Sequence, residues 1–193
     1  MNKRQQQRND RRQQILECAL DMIIRRGFAA TTIRDIAKKL NISTGLFFNY
    51  FESKEQIYVE LVKIGMDGPK CVLEQLSDTT LPPIGALEKI TEDIFKALRT
   101  DSFTAKMFFL MPQTMNSEGI PDSVKEIVSK FDAMTPILPV IVKGQQLGQI
   151  KTGDPVALGV AFWSAIQGIA QSLCQRSDIP LPESRWIVDI LRV

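Results

Sequence analysis

The chain has 193 residues, 44% of them hydrophobic and 24% charged, the make-up of an ordinary folded protein rather than a disordered or fibrous one. The net charge is only +2, yet residues 1–63 hold 12 Lys or Arg against 7 acids and residues 64–193 hold 12 against 15. Positive charge is therefore concentrated toward the N-terminus, which favours a polyanionic partner there. Histidine is absent, which removes the commonest general base and metal ligand and any Ser-His-Asp or Cys-His constellation.

The first dozen residues, with Lys3, Arg4, Arg8, Arg11 and Arg12 among glutamines, read as a mobile basic arm that follows either the minor groove or the backbone of a nucleic acid. They lack the apolar stretch of a signal peptide, so the protein is expected to be cytoplasmic. From Arg11 to Arg26 the apolar residues Ile15, Leu16, Ala19, Leu20, Met22 and Ile23 recur at helical spacing, and Gly27 stands where a left-handed cap ends the helix. A second helix spans about Ile33 to Leu40, with Thr32 as N-cap, Asp35 at the capping-box position, and Asn41 suited to a left-handed turn. Ser43 or Thr44 then opens a short helix reaching Tyr50. So tight a connection makes the two helices cross steeply.

Ser53 and Gln56 form another capping pair ahead of a helix from Lys54 that carries Ile57, Leu61, Val62 and Ile64. Gly65 and Gly68-Pro69 either interrupt or end it, and Cys71 to Leu76 is either its kinked continuation or a separate turn. Further helices are expected over Pro83–Leu98, Ser102–Met115, Asp122–Gln146, Pro155–Gln175 and Glu183–Leu191, the third of them kinked or split at Pro136 and Pro139. Cys18, Cys71 and Cys174 lie far apart in apolar helical patterns, as expected of buried thiols in a reducing compartment. The uncharged stretch from Val156 to Gln175 is long enough for a membrane span, but Ser164, Gln167, Gln171, Ser172 and Gln175 suit an oligomer interface better than lipid.

The order of elements in residues 11–64, together with the string ILECALDMIIRRGFAATTIRDIAKKLNISTGLFFNYFESKEQI, resembles the TetR family of transcriptional regulators. The family habit matched here is an Ala in helix 1, a Gly before an aromatic, Thr-Thr, an Ile-Ala pair in helix 2, and an aromatic-rich recognition helix followed by Phe and Ser-Lys. The resemblance implies an all-α fold, with an N-terminal DNA-binding domain over residues 1–52 and a helical ligand-binding and dimerisation domain over residues 53–193. It also implies a non-enzymatic regulator, usually a repressor, released from operator DNA by a small effector; no cofactor is expected, and the few charges among the middle-helix residues favour an apolar or aromatic effector.

In a helix-turn-helix the first turns of the second helix reach base edges, which places Ser43, Thr44, Gly45 and Leu46 at the DNA, with Asn49 reading a base or a phosphate. By resemblance, Arg34 matches a DNA-contacting position, and Tyr50 and Lys54 match positions that hold phosphate. Phe48 stands where the family usually has tyrosine, so one phosphate-binding hydroxyl is missing; Phe47, Phe48 and Phe51 read as core. Homodimerisation is expected through helices near 156–175 and 183–191, the latter with Trp186, Ile187, Ile190 and Leu191. The Met- and Phe-rich middle helices offer Phe95, Phe103, Met107, Phe108, Met111, Phe131 and Met134 for an apolar pocket, Trp163 as a wall and Gln167 as a polar handle. Two other classes fit less well. A helical carrier of hydrophobic compounds leaves Arg34, Tyr50 and Lys54 without a purpose, and an enzyme built on Glu92 and Asp93 has its adjacent acids pointing in different directions.

Overall fold

The computed structural model describes residues 3–78, 80–176 and 178–193, with the backbone alone at 68–75, 77 and 78. Helices account for its regular structure: α1 Lys3–Arg26, α2 Ile33–Lys39, α3 Thr44–Phe48, α4 Lys54–Asp78, α5 Pro83–Thr100, α6 Ser102–Met115, α7 Asp122–Val128, a 3-10 turn Thr135–Ile137, α8 Leu138–Gln146, α9 Pro155–Gln175 and α10 Ser184–Val188. Among the described residues the sole β-pairing is an isolated antiparallel bridge between Ile150 and Arg192. The fold is all-α.

Local chemistry sets the helix boundaries. Thr32 accepts from the Asp35 amide at 3.1 Å, Ser43 from that of Leu46 at 3.0 Å, and Ser53 from that of Gln56 at 3.0 Å. Asp154 Oδ1 accepts from the amides of Val156 and Ala157, with Pro155 opening α9 in its pre-set φ. Asn41 takes φ 54° and Gly27 φ 83°, the left-handed stops expected after α2 and α1. Asp122–Gln146 is split into α7, the 3-10 turn and α8, because Pro136 and Pro139 cannot donate within a helix.

Two expectations are corrected, and one alternative left open by the sequence is decided. The basic arm is not a mobile coil: α1 starts at Lys3, and its first turns are held by side-chain pairs one turn apart, Gln5 to Asn9 at 3.1 Å and Gln6 to Asp10 at 2.8 Å. Helix α4 runs on through Gly65, Gly68 and Pro69 to Asp78; the Cys71 side chain lies outside the described residues. The last helix ends at Val188 rather than Leu191, because the chain turns to place Ile150 against Arg192, the Lys151 amide donating to Leu191 O at 2.8 Å.

The chain forms two compact units, residues 1–65 with 110–130, and residues 66–109 with 131–193; the functional division drawn at 52/53 lies within the first. Helices α4 and α6 contribute residues to both. In the first unit Ile15, Leu20, Ile23, Ile36, Phe47, Phe51, Ile57 and Leu61 are fully buried. Each such side chain contributes about 1.5–3 kcal/mol by leaving water. Arg12 pairs with Glu60 through both guanidinium nitrogens and lies 4.7 Å over the Phe51 ring, which ties α1 to α4. Tyr58 stacks on Phe28 with 4.7 Å between centroids and shares a buried hydrogen bond of 2.8 Å with Thr114 of α6. Cys18 is buried, and desolvation raises its thiol pKa, as for an unreactive core cysteine.

In the second unit α5 turns one stripe inward, Ala86, Leu87, Ile90, Ile94, Phe95 and Leu98, against Ile137, Ile141, Phe162, Ile166, Val188 and Leu191. Gly159 of α9 and Gly144 of α8 mark the closest approaches: a Cβ at Gly159 would lie 2.6 Å from Met134 Sδ, and one at Gly144 2.5 Å from Ile150 Cδ1. Helix α9 is long and apolar enough to cross a membrane by length and composition, but its Gly159, Phe162, Ile166 and Ala170 are buried in this core. Its other face, with Val156, Ala157, Val160, Ala161, Ser164 and Gly168, is exposed and uncharged.

Candidate nucleic-acid interface

Helix α3 has only five residues, and the fold holds it through its cap and one of its own side chains. Ser43 is spent on the N-cap, and Phe47 is fully buried. What remains faces outward: Thr44, Gly45, Leu46, Phe48 and Asn49 are exposed and Tyr50 is half-buried. The Thr44 and Asn49 side chains have no hydrogen-bond partner among the described residues. A Cβ built on Gly45 meets nothing closer than Ser43 Oγ at 3.8 Å. Packing within the chain therefore does not demand glycine there, whereas a close approach of the backbone to a ligand would.

Leu46, Asn49 and Tyr50 line an open cleft of about 760 Å³ whose opposite wall is the first half of α1, with Arg4, Arg8 and Arg11 beside Asp10. Of these, Asp10 is engaged by Gln6, and Arg11 donates to Gln14 at 2.9 Å. The cleft thus joins the exposed end of α3 to a strongly basic helical wall, the arrangement that suits a phosphate chain. Arg34, in the first turn of α2, is exposed, and Lys38 beside it likewise; Lys39 lies 3.7 Å from Asp21.

One residue stands differently from expectation, and a second is engaged within the chain. Phe48 is not core: it is 52% exposed, its ring edge-on to Phe47 at 5.6 Å. Phe47 and Phe51 are four apart and share the inward face, while Phe48, one position on, is rotated out of it. That helical offset was the signal available in the sequence. Lys54 has partners within the chain. Its ammonium donates to Phe28 O at 2.7 Å and Ala29 O at 3.5 Å and sits 4.1 Å over the Phe28 ring, holding the turn after α1 to the start of α4. Partial burial there lowers its pKa from the usual lysine value.

The residues read as a ligand pocket are distributed between the units. Phe95, Phe103, Met107, Phe108, Phe131, Met134, Trp163 and Gln167 fall in the second and Met111 in the first. Phe95 is buried in the second core, with Phe108, Met134 and Trp163 packed against it. The polar handles are engaged by backbone: Trp163 Nε1 donates to Ala133 O at 3.0 Å, and Gln167 Nε2 donates to Phe108 O. The second bond has a clear cause. Phe108 O would ordinarily accept from the amide four residues on, but that residue is Pro112, which has none. Gln167 supplies the missing donor.

A second cleft, of about 210 Å³, lies in the first unit between the turn after α1, where Arg26 and Phe28 line it, and the end of α6, where Gln113 and Ser117 do. It contains none of the expected ligand residues.

The sequence profile of the bacterial regulatory proteins of the tetR family matches residues 15–61, the segment from the first buried turn of α1 into α4. The HTH-type transcriptional repressor KstR2 of Mycobacterium tuberculosis is 34% identical over 90 residues, 47% of this chain and 45% of that protein, so the matched segment spans just under half of that relative. Among solved structures, the ketosteroid transcriptional regulator KstR2 of Mycobacterium tuberculosis superimposes with a TM-score of 0.71 at 21% identity, covering 95% of each chain. AibR in complex with isovaleryl coenzyme A and operator DNA superimposes with a TM-score of 0.67 at 19% identity, covering 93% of this chain and 94% of that one.

Proposed function

We propose that the chain, whose residues 15–61 match the profile of the tetR family of bacterial regulatory proteins, is a cytoplasmic homodimeric TetR-type repressor released from operator DNA by a small, largely apolar molecule. One observation carries the reading: Thr44, Leu46 and Asn49 of the α3 segment are exposed and unclaimed by the fold, and Leu46 and Asn49 share a cleft with the arginines of α1.

In this reading α3 enters the major groove. Thr44 donates or accepts at a base edge, Leu46 meets a thymine methyl, and Gly45 lets the backbone approach. Tyr50 and Arg34 grip phosphate, and Asn49 reads a base or a phosphate. Phe48, exposed beside them, adds apolar contact with the sugar-phosphate wall. Lys54 acts on DNA chiefly by holding the turn after α1, and Ser43 by capping α3. Two copies are needed because one five-residue helix covers too little DNA for tight and selective binding. The uncharged outer face of α9, with Val160 50% exposed, and Trp186 of α10, 54% exposed, supply the apolar surface for that pairing.

The domain division at 52/53 serves this function: residues 1–52 carry the DNA contacts, and residues 53–193 the effector and dimer surfaces. The effector lies among the residues of the second unit, Phe95, Phe103, Met107, Phe108, Phe131, Met134 and Trp163, with Gln167 as the polar group it meets. Relatives whose names cite a ketosteroid or isovaleryl coenzyme A support an apolar or acyl compound. It releases DNA only by binding more tightly to the conformation that fits the operator poorly.

The test is titration of DNA from the protein's own promoter region against salt and excess unrelated DNA, beside a Thr44→Ala, Tyr50→Phe double variant that leaves the buried rings in place. Saturable, competitor-resistant binding weakened about tenfold or more in the variant is expected, since a well-made base-edge contact alone is worth about 1–3 kcal/mol. Weak, unselective binding that the variant does not change would overturn the recognition-helix assignment.

A further inference from the structure

We infer that the helical extension of α1 is a second DNA-binding element, which lays Arg4, Arg8 and Arg11 along the phosphates flanking the half-site; this rests on the operator-binding reading above. Residues 3–10 are all exposed, and the first fully buried side chain of α1 is Ile15, so the extension contributes nothing to the core. Helices in proteins draw most of their stability from packing, and here local pairs such as Gln5 with Asn9 and Gln6 with Asp10 stand in for it. The helix nevertheless keeps three arginines at the i, i+4, i+7 spacing that holds them on one face.

That face is aimed. Arg12, one residue beyond Arg11, is committed to Glu60 and the Phe51 ring, which fixes the rotation of α1 about its axis. With Arg12 turned to α4, Arg4, Arg8 and Arg11 fall on the wall of the same cleft that Leu46, Asn49 and Tyr50 close from α3. The single acid in that wall, Asp10, is held by Gln6. A DNA strand contacted by α3 therefore runs beside three guanidinium groups, each able to grip phosphate.

The helical state also decides between the two places a basic arm can go. An α-helix with its side chains is about 10–12 Å across, and the minor groove of B-DNA is only about 6 Å wide. A helical arm cannot enter it as an extended arm does, so its arginines meet the backbone and carry affinity rather than base preference.

The experiment compares the full-length protein with an Arg4→Gln, Arg8→Gln, Arg11→Gln variant, using a duplex that the unaltered protein selects from a random-sequence pool, over a range of salt. Glutamine keeps the helix, which circular dichroism checks. The variant is expected to bind about tenfold or more weakly near physiological salt. The slope of log K against log salt should become shallower by up to about 2.7 per protomer, at about 0.9 for each phosphate that is no longer neutralised. Its ranking of base substitutions within the half-site should be unchanged, with no A·T preference in the flanks of either protein. Equal affinity and slope in the two proteins would overturn the extension's role while leaving α3 as the reader. A changed base ranking, or a flanking A·T preference that the variant loses, would overturn the phosphate assignment. Failure of the unaltered protein to enrich any sequence would instead sink the operator-binding reading, and this inference with it.

Discussion

The segment from α2 to α4 and the Met- and Phe-rich helices of the second unit both place polar side chains beside aromatic ones, but they use them differently. Around α3 the fold takes Ser43 and Phe47 and leaves Thr44, Leu46, Phe48 and Asn49 at the surface. In the second unit the polar atoms that look available, the Trp163 indole and the Gln167 amide, already serve backbone carbonyls. A polar group that the fold does not need is a better pointer to a partner than one that is merely well situated. By that measure the DNA face proposed at α3 needs no rearrangement of contacts within the chain, whereas the proposed effector, to reach Gln167, must compete with Phe108 O or donate to the remaining amide oxygen.

The largest expected effect sharpens this contrast within two adjacent residues. Phe47→Ala should cost about 3–5 kcal/mol of unfolding free energy, the usual result of emptying a fully buried aromatic site. Phe48→Ala should change stability by no more than about 0.5 kcal/mol, as surface substitutions do. Urea unfolding of both variants, with operator binding of the second, separates the roles: Phe48→Ala should lose affinity with its fold intact. Comparable destabilisation by the two would mean that Phe48 packs after all.

Next comes Gln167→Leu, which removes the donor that replaces the absent amide of Pro112. Leaving the Phe108 carbonyl unpaired should cost about 1–3 kcal/mol without any effector present. If thermal unfolding of the effector-free variant matches the parent, the amide is not structural and its place is in the ligand site alone.

The smallest effect has opposite signs in its two readouts. Gly45→Ala has room for its methyl and gains helix propensity, so stability should hold or rise by up to about 1 kcal/mol. Operator affinity should fall, because the methyl stands between backbone and DNA. Unaltered affinity would remove the close-approach argument.

Much of this protein could be read from its residues in order. The helix starts at Thr32, Ser43, Ser53 and Asp154 rest on contacts two or three residues away, and the stops at Gly27 and Asn41 on a single backbone conformation. Such short-range rules, together with the 3.6-residue recurrence of apolar side chains, determined the all-α class and the position of the helix-turn-helix. Tertiary structure alone decided what each outward or half-buried side chain does. Lys54 reaches a carbonyl 26 residues upstream, and Gln167 reaches one 59 residues away. The arginines of α1 gain a common direction because Arg12 is pinned to α4. Caps and periodicity act along the chain and are written in it, whereas these partners are brought together by the folding of distant segments, which no local pattern encodes.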